Sequence, residues 1–245
     1  MILFIKPISL DDIKSLEDVY KEVFSGFPWY EDFACKKCKS LYTNKTIQEE
    51  SKERVFKLGN LENCLKCNFP LELVSYYPEI IDQRKLIREA CIMQGFVGYL
   101  ALRENRAMGF SWGFSVPSTR TESVNFPEVI PKLTSLKIMP CQAFYGAETG
   151  IIEADQGKGL GKLLVSQRTL KAFQMGYRTF VNRTINPRMR KILGDLFSRK
   201  EPRLLFKDPE TGSQWFSWDF QDFNLELAEQ INRGVKERGF FTSLK

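Results

Sequence analysis

Apolar and polar residues follow two different periods along the chain, and the changes of period predict an alternation of strands and helices. A short apolar run at 2–8 predicts a first strand. Ser9 can cap the segment that follows, and apolar residues at helical spacing over 10–24 predict a helix there. The segment 80–93 shows the same helical spacing and predicts a second helix.

The second half of the chain alternates the same two patterns more regularly. Strand-like segments at 95–102 and 107–116 flank a short polar turn at 103–106, which predicts a β-hairpin. Further strands are expected at 142–154, 178–184, 203–207 and 213–220, and further helices at 159–176 and 186–198. The order is that of a mixed α/β protein with a hairpin before a strand–glycine–helix unit.

Three segments have no strong period. The stretch 117–140 is rich in Pro, Ser and Thr and predicts a loop with a short helix near 127–136. We expect a connector from Pro70 to Pro78 and a turn at 208–212, between the last two strands. The C-terminal segment 221–245 is expected to be helical and exposed.

Composition narrows the class of protein. The 245 residues, 43% of them apolar, suit one large domain, or one domain with a small insertion. No apolar run approaches the roughly 18 residues of a membrane span, and the N-terminus shows neither a cationic leader nor a cleavage site. We therefore expect a cytoplasmic protein. The net charge of +6 suits an anionic ligand, whereas a nucleic-acid binder would usually carry a denser basic cluster.

Four cysteines form two CxxC pairs, Cys35 with Cys38 and Cys64 with Cys67. Each pair can place two thiolates on one side of a tight turn, and two such turns complete a tetrahedral S₄ zinc site. The chain has no His, so a metal site must use Cys or carboxylates. Two disulfides are the main alternative, but nothing indicates secretion, and a redox CxxC remains a third. The polar spacer 39–63 should be disordered without metal.

The remaining cysteines, Cys91 and Cys141, have no partner pattern, and we interpret them as buried, inert thiols.

The stretch 155–164, DQGKGLGKLL, has three glycines at alternate positions between a predicted strand and a predicted helix. Loops of this kind let backbone N–H groups close on an anion, often a phosphate. The Walker A pattern fails because Lys162 stands where its second glycine belongs. The dinucleotide fingerprint GxGxxG fails at the same residue.

A third pattern does fit. Gln156-Gly157-Lys158-Gly159-Leu160-Gly161 matches Gln/Arg-x-x-Gly-x-Gly/Ala, and a strand precedes it while a helix, a strand and Asn186 follow. In these features the chain resembles the GNAT superfamily of N-acetyltransferases, in which this loop binds the pyrophosphate of acetyl-CoA at a helix N-terminus. Some GNAT proteins also carry zinc-ribbon insertions.

The resemblance implies a fold and domain boundaries. The fold would be α/β (α+β): a GNAT-like mixed, mainly antiparallel sheet flanked by helices, with a small zinc-ribbon insertion. The acetyltransferase domain would be discontinuous and comprise 1–33 and 71–220. The zinc-ribbon insertion with its four cysteines would occupy 34–70, and 221–245 would form a helical tail.

The resemblance also implies a cofactor site. N–H groups of Gly157 to Gly161 would hold the pyrophosphate, and the preceding strand backbone would bond the pantetheine arm. Lys158 and Lys162 could add charge, although a solvated lysine is as good an interpretation of each. The implied cofactor-binding residues are Ile151, Ile152, Glu153, Gln156, Gly157, Lys158, Gly159, Leu160, Gly161, Lys162 and Asn186.

Glu148 is the candidate catalytic base. The acceptor amine must lose a proton when it attacks, and a carboxylate is the usual helper. An acid in a strand of small and apolar residues is costly unless it has a task or a partner, so a structural role is the alternative. The segment after Asn186 contains no Tyr, the general acid that the family frequently has there.

Other aromatic residues have two interpretations. Tyr145, Tyr177, Trp112, Phe114, Trp215 and Trp218 favour packing roles. The four Trp and Phe residues among them could instead line an acceptor pocket.

The resulting hypothesis is an acetyl-CoA-dependent N-acetyltransferase that moves an acetyl group to a primary amine by direct attack on the thioester, with a structural Zn²⁺. Its partners would be acetyl-CoA and an amine acceptor, with no membrane, and a homodimer stays open. The alternative is a non-catalytic GNAT-like scaffold whose zinc ribbon binds protein or nucleic acid.

Overall fold

The fold is taken from a computed structural model, which describes residues 3–24, 32–35, 37–38, 40–42, 63–74, 83–117, 129–184, 186–207, 214–237 and 240–242. The strands are β1 (Leu3–Pro7), β2 (Asp32–Cys35), β3 (Leu41–Tyr42), β4 (Leu71–Val74), β5 (Val97–Arg103), β6 (Arg106–Ser115), β7 (Ala143–Ile151), β8 (Thr179–Thr184), β9 (Arg203–Lys207), β10 (Gln214–Asp219) and β11 (Phe240–Thr242). The helices are α1 (Ile13–Phe24), α2 (Gln83–Ile92), α3 (Val129–Ser135), α4 (Leu160–Gln174), α5 (Pro187–Leu196) and α6 (Leu225–Glu237).

The main sheet has eight strands in the order β11-β1-β5-β6-β7-β8-β10-β9. Neighbouring strands are antiparallel, except that β1 pairs with β11 and β7 pairs with β8 in parallel. Strands β3, β2 and β4 form a separate antiparallel sheet that contains Cys35. This architecture matches the expected mixed, mainly antiparallel α/β fold.

The hairpin between β5 and β6 has a simple local cause. Glu104 and Asn105 connect the strands, and both have positive φ values, 51° and 65°. Two left-handed residues give a tight turn whose twist matches that of the flanking strands, and Asn tolerates this conformation well. The turn thereby aligns β6 along the whole length of β5.

Helices cover both faces of the sheet. On one face, Tyr20 and Phe24 of α1 lie against Phe110 of β6, with Tyr20–Phe110 centroids 5.7 Å apart. On the other face, Phe180 of β8 lies against Phe197, which follows α5, at 5.7 Å. Because side chains alternate along a strand, the sheet is buried between two apolar layers.

The strands and helices predicted before residue 221 are confirmed in order and type wherever the structure describes them. Two expectations are wrong. Residues 71–74, expected in the connector, form β4 and pair with β2, which supplies their backbone hydrogen bonds. The C-terminal segment is helical over α6 but not an exposed tail, because Ala228 is fully buried and β11 pairs with β1.

Two further expectations concern segments that the structure does not describe. The turn at 208–212 and most of the 39–63 spacer lie outside the described residues. Within the described part of the chain, no helix combines the length and the apolarity needed to cross a membrane.

Packing of α6 gives a stability prediction. Ala228→Glu places a charge at a fully buried position next to Ser166 of α4, whose hydroxyl donates to the Ala228 carbonyl at 3.4 Å. We expect a loss of about 3 kcal/mol or more in the free energy of unfolding, measured by urea denaturation. The control is the exposed neighbour: Glu229→Ala should change the free energy of unfolding by about 0.5 kcal/mol or less. Equal midpoints for the two variants would contradict this packing.

Candidate functional site

The strands β7 and β8 separate in the middle of the sheet. They pair in parallel from Ala143 with Thr179 to Gly146 with Asn182, and the pairing ends there. Both strands continue beyond this point, β7 as far as Ile151. The Asn182 amide donates to the Gly146 carbonyl at 2.7 Å and so ties the strands together at the last paired position.

A β-bulge lies in β7 where the separation begins. On β6, Trp112 pairs with Glu148, while the next residue, Gly113, pairs with Gly146, so Ala147 is the extra residue. A bulge bends its strand and increases the local twist. The bend accounts for the departure of β7 from β8 immediately after Gly146.

Glu148 is the first regularly paired residue after the bulge. It lies opposite Trp112, so its side chain is on the face of the sheet that α1 covers. The side chain is half-buried as a whole, but its carboxyl group is surrounded by protein atoms. This burial raises the pKa of Glu148 to about 7, although the charges of Arg183 and Arg168 act to lower it. A carboxylate with that pKa can accept a proton near neutral pH.

The same face carries an aromatic and cationic wall beside Glu148. Tyr145 of β7 stacks on Trp215 of β10 with centroids 5.3 Å apart, and the guanidinium of Arg183 lies 5.8 Å from the Trp215 ring centroid. Arg183 is on β8, directly across the strand separation from the Glu148 region. A negative and a positive side chain therefore lie on the two diverging strands.

The glycine loop follows β7 and leads into α4. Gly157 and Gly159 have φ values of 76° and 85°, a conformation that favours glycine, and Gly159 is the N-cap of α4. Among the described residues, no hydrogen-bond acceptor is recorded for the N–H groups from Gly157 to Lys162. These donors lie at a helix N-terminus, where an anion is stabilised by the N–H groups and by the helix dipole.

Asp155 anchors the loop. Its buried carboxylate accepts from both terminal nitrogens of Arg103 on β5, at 2.6 and 3.2 Å, and from Lys158 at 3.0 Å. Burial acts to raise the pKa of Asp155, but the hydrogen bonds and charges of Arg103 and Lys158 outweigh it and the pKa lies below its usual value. The loop is thus fixed to the β5–β6 hairpin by interactions within the chain.

The other loop side chains have their own contacts. Lys162 lies 3.6 Å from Asp195 of α5, and the Gln156 amide donates to the Ile151 carbonyl at 3.1 Å. Ile152 is buried, whereas Glu153 is exposed.

Asn186 caps α5. Its side chain accepts from the N–H of Arg188 at 2.9 Å, which satisfies one of the free donors at the start of that helix. A surface depression between α5 and the following turn is lined by basic and acidic side chains, among them Arg190, Lys191 and Asp195. It adjoins Lys162 and so lies next to the loop.

The four paired cysteines come together. The Sγ atoms of Cys35, Cys38, Cys64 and Cys67 all lie within 4.8 Å of one another, and two of the pairs are 3.4 Å apart. Four sulfurs around a tetrahedral zinc, with Zn–S bonds of about 2.3 Å, would be about 3.8 Å apart. The donor set and its size therefore fit a closed, structural S₄ site.

Two local turns build this cluster. The Cys35 N–H donates to the Ser40 carbonyl at 2.9 Å, and the Cys64 N–H donates to the Phe69 carbonyl at 2.8 Å. Each bond closes a tight turn around one CxxC pair.

The predicted burial of the aromatic residues and of the two unpaired cysteines is confirmed for some of these residues and wrong for others. Trp112, Phe114, Trp215 and Trp218 are buried, which confirms their packing role, and Tyr145 is buried as well. Tyr177 is half-buried and shares a hydrogen bond with Ser115. The expectation that Cys91 and Cys141 are buried is wrong, because Cys91 is half-buried at the surface of α2 and Cys141 is exposed.

The sequence reasoning missed three polar residues of the site. Arg168 and Asn182 are buried on the α4 face of the separation, and Asp155 is buried beneath the loop. A signal existed for Arg168, since it continues the buried helical row of Leu160 and Leu164 at spacing four. A cation in such a row indicates a specific partner.

The comparisons with known proteins concern the fold. No protein-family model matches the chain, and no curated protein sequence matches it. The structure of BjaI, a CoA-dependent acyl-homoserine lactone synthase solved with SAM and isopentyl-CoA, is 10% identical, with a TM-score of 0.50 over 99% of this chain and 94% of that one.

Two further similar structures are acetyltransferases. The GNAT domain of S. lividans PAT is 14% identical, with a TM-score of 0.46 over 88% of this chain and 89% of that one. A GNAT superfamily phosphinothricin acetyltransferase from Sinorhizobium meliloti, in complex with AcCoA, is 12% identical, with a TM-score of 0.46 over 89% of each chain. At these identities the likeness concerns the fold alone, which in this chain is a mixed, mainly antiparallel sheet with helices on both faces.

Proposed function

We propose that the chain is an acetyl-CoA-dependent N-acetyltransferase that acts on a primary amine, with Glu148 as the general base. One arrangement carries the proposal: the strand that ends at an open anion-binding loop also carries, at its point of separation, a carboxyl group with a pKa near 7. A thioester donor that follows this strand would have its phosphates at the loop and its acyl group near Glu148.

The reaction follows from the residues in place. The Glu148 carboxylate takes a proton from the ammonium form of the acceptor. The free amine then attacks the thioester carbonyl carbon, an N–C bond forms, and the C–S bond breaks. As the amide forms, its nitrogen loses one further proton, which passes through water to the departing CoA thiolate because α5 offers no Tyr as a general acid, and Glu148 releases the proton it accepted to solvent.

Binding of the cofactor rests on the loop. N–H groups of Gly157 to Lys162 would hold the pyrophosphate, and the edge of β7 near Ile151 would bond the pantetheine arm. Lys158 and Lys162 are each paired with a carboxylate, so the backbone rather than these ammonium groups supplies the main attraction. The similar structure of BjaI, solved with isopentyl-CoA, fits a donor of the acyl-CoA class.

We further propose that Cys35, Cys38, Cys64 and Cys67 bind one structural Zn²⁺. All four positions would be filled by sulfur, so the metal would hold the two turns together and would leave no place for a substrate. The module would then be an insertion in the acetyltransferase domain.

The loop assignment predicts the effect of one added charge. Gly159→Glu places a carboxylate at the proposed phosphate site, and we expect acetyl-CoA affinity to fall at least about 30-fold, equivalent to about 2 kcal/mol. Isothermal titration calorimetry measures this change.

A matched control separates charge from backbone strain. Gly176 lies just beyond the other end of α4, has the same φ of 85°, and has equally open surroundings. Gly176→Glu should therefore keep near wild-type affinity. Equal losses in both variants would remove the loop from the site, and no binding by wild-type protein would favour a non-catalytic scaffold instead.

The base assignment predicts a pH profile. The value of kcat/KM should rise with pH through about 7, as Glu148 loses its proton. Glu148→Gln should lower kcat about 10²–10⁴-fold and abolish this step, while acetyl-CoA affinity stays close to that of wild type. A profile that is unchanged in Glu148→Gln would exclude Glu148 as the base.

The same raised pKa predicts a change in stability. Because burial favours the protonated form, the folded protein loses stability relative to Glu148→Gln as pH rises from about 4.5 to about 7. Chemical denaturation of both proteins at pH 4.5 and pH 8 measures the difference, without any need for activity. If wild type and Glu148→Gln differ in their free energy of unfolding by the same amount at both pH values, the raised pKa is contradicted.

The metal assignment predicts about one zinc per chain by elemental analysis. Cys64→Ser removes a buried ligand and should reduce the bound zinc at least about tenfold at limiting metal. Cys141→Ser, at an exposed cysteine outside the cluster, should keep the full content. Wild-type protein without zinc would overturn the assignment.

A further inference from the structure

The guanidinium of Arg168 is inserted beneath the bulge of β7. The side chain is fully buried, and its Nη1 donates to the carbonyls of Trp112 at 3.0 Å and Glu148 at 3.2 Å. It also donates to the hydroxyl of Thr149 at 3.1 Å, which is bonded in turn to Ser111 at 2.8 Å. Arg168 therefore bonds both strands of the bulge at the residue that carries the proposed base.

Neighbouring groups hold the guanidinium in this place. Its Cζ lies 5.5 Å from the ring centroid of Phe180. Gly146 leaves room for it, since a Cβ there would lie 2.7 Å from Nη2 of Arg168 and 2.5 Å from the Phe180 ring. The absence of a side chain at Gly146 is thus a packing requirement of Arg168.

A buried cation that bonds mainly carbonyl oxygens is an expensive structural element. Burial lowers the pKa of Arg168 to about 10, so it stays charged at neutral pH. Its Nε and Nη2 have no hydrogen-bond partner in the described part of the chain. A neutral side chain could fill this space at lower cost.

We propose that Arg168 is a positioning residue for Glu148, acting through the backbone from the opposite face of the sheet. By bonding the Glu148 carbonyl and the adjacent Thr149 hydroxyl, it fixes the direction in which the Glu148 carboxyl extends from β7. This inference rests on the proposed role of Glu148 as the base and adds a residue that touches neither substrate.

Several titratable groups surround the Glu148 carboxyl. From β8 comes Arg183 and from α4 comes Arg168, while Tyr145 of β7 acts on Arg168. On the α1 side lies Tyr20, which packs on Trp112, the neutral cross-strand neighbour of Glu148. Of these, Arg183 and Arg168 are the cations that stabilise the ionised form of Glu148.

The test separates position from charge. Arg168→Met removes both the charge and the hydrogen bonds of the guanidinium. Arg168→Lys keeps the charge but loses the fork of donors. Arg183→Gln removes a charge on the face of the sheet that carries the Glu148 side chain and leaves the Arg168 bonds to the Glu148 backbone in place. Each variant is assayed for kcat and for acetyl-CoA KM from pH 6 to pH 9, after its unfolding midpoint is measured.

At pH 9 Glu148 is ionised in wild type, so a loss of kcat there reports position rather than charge. We expect Arg168→Met and Arg168→Lys to lose about 10–100-fold in kcat at pH 9, with KM for acetyl-CoA changed less than about threefold. Arg168→Met and Arg183→Gln should both raise the pKa of the profile, and Arg168→Lys should not. If Arg168→Met does not fold, Arg168→Lys carries the test alone.

A wild-type kcat at pH 9 in Arg168→Lys overturns the proposal, even if stability has fallen, because a purely structural role would leave kcat of the folded protein intact.

If wild type shows no acetylation at all, the proposed function fails separately. The carboxyl of Glu148 is then titrated by ¹³C NMR, with Glu148→Gln to assign it. A resonance and pKa in Arg168→Lys identical to those of wild type overturn the positioning role, and a displaced resonance at unchanged pKa supports it.

Discussion

The end of the pairing between β7 and β8 is the constraint on which the proposed site depends. Parallel strands in the interior of a sheet normally continue to satisfy each other's backbone groups. Here the bulge at Ala147 bends β7 away, and the Asn182 amide closes the last position. The separation leaves strand edge available inside the molecule, next to the carboxyl of Glu148 and within one strand's length of the glycine loop. Without it, the proposed anion site at the loop would have no reacting group nearby.

Much of this arrangement could be predicted from the sequence because its signals are local. Glycines at 157 and 159 are favoured where φ is positive, and the backbone bonds that close the two CxxC turns each join residues five positions apart. The order of elements then places Glu148 in the strand before the loop. Each of these inferences needs only the spacing of residues along the chain.

The rest could not be predicted, because it depends on contacts between distant segments. Arg168 is 20 residues from Glu148 along the chain, and Arg103 is 52 residues from Asp155. The bulge has no sequence signature of its own, since it is a property of how β6 and β7 align. The sequence of the C-terminal segment likewise predicts an amphipathic, exposed helix. Only the structure shows that α6 packs against α4.

One helix joins the two halves of the site. The first turn of α4 contributes N–H groups to the loop, and Arg168 lies eight residues further on, about 12 Å along the same axis. A helix buried on both sides moves as a rigid rod if it moves at all. Any axial shift of α4 when phosphates bind would therefore reach the backbone of Glu148 in the same step. Cofactor affinity and proton affinity at Glu148 would then be linked quantities, each altering the other by the same factor.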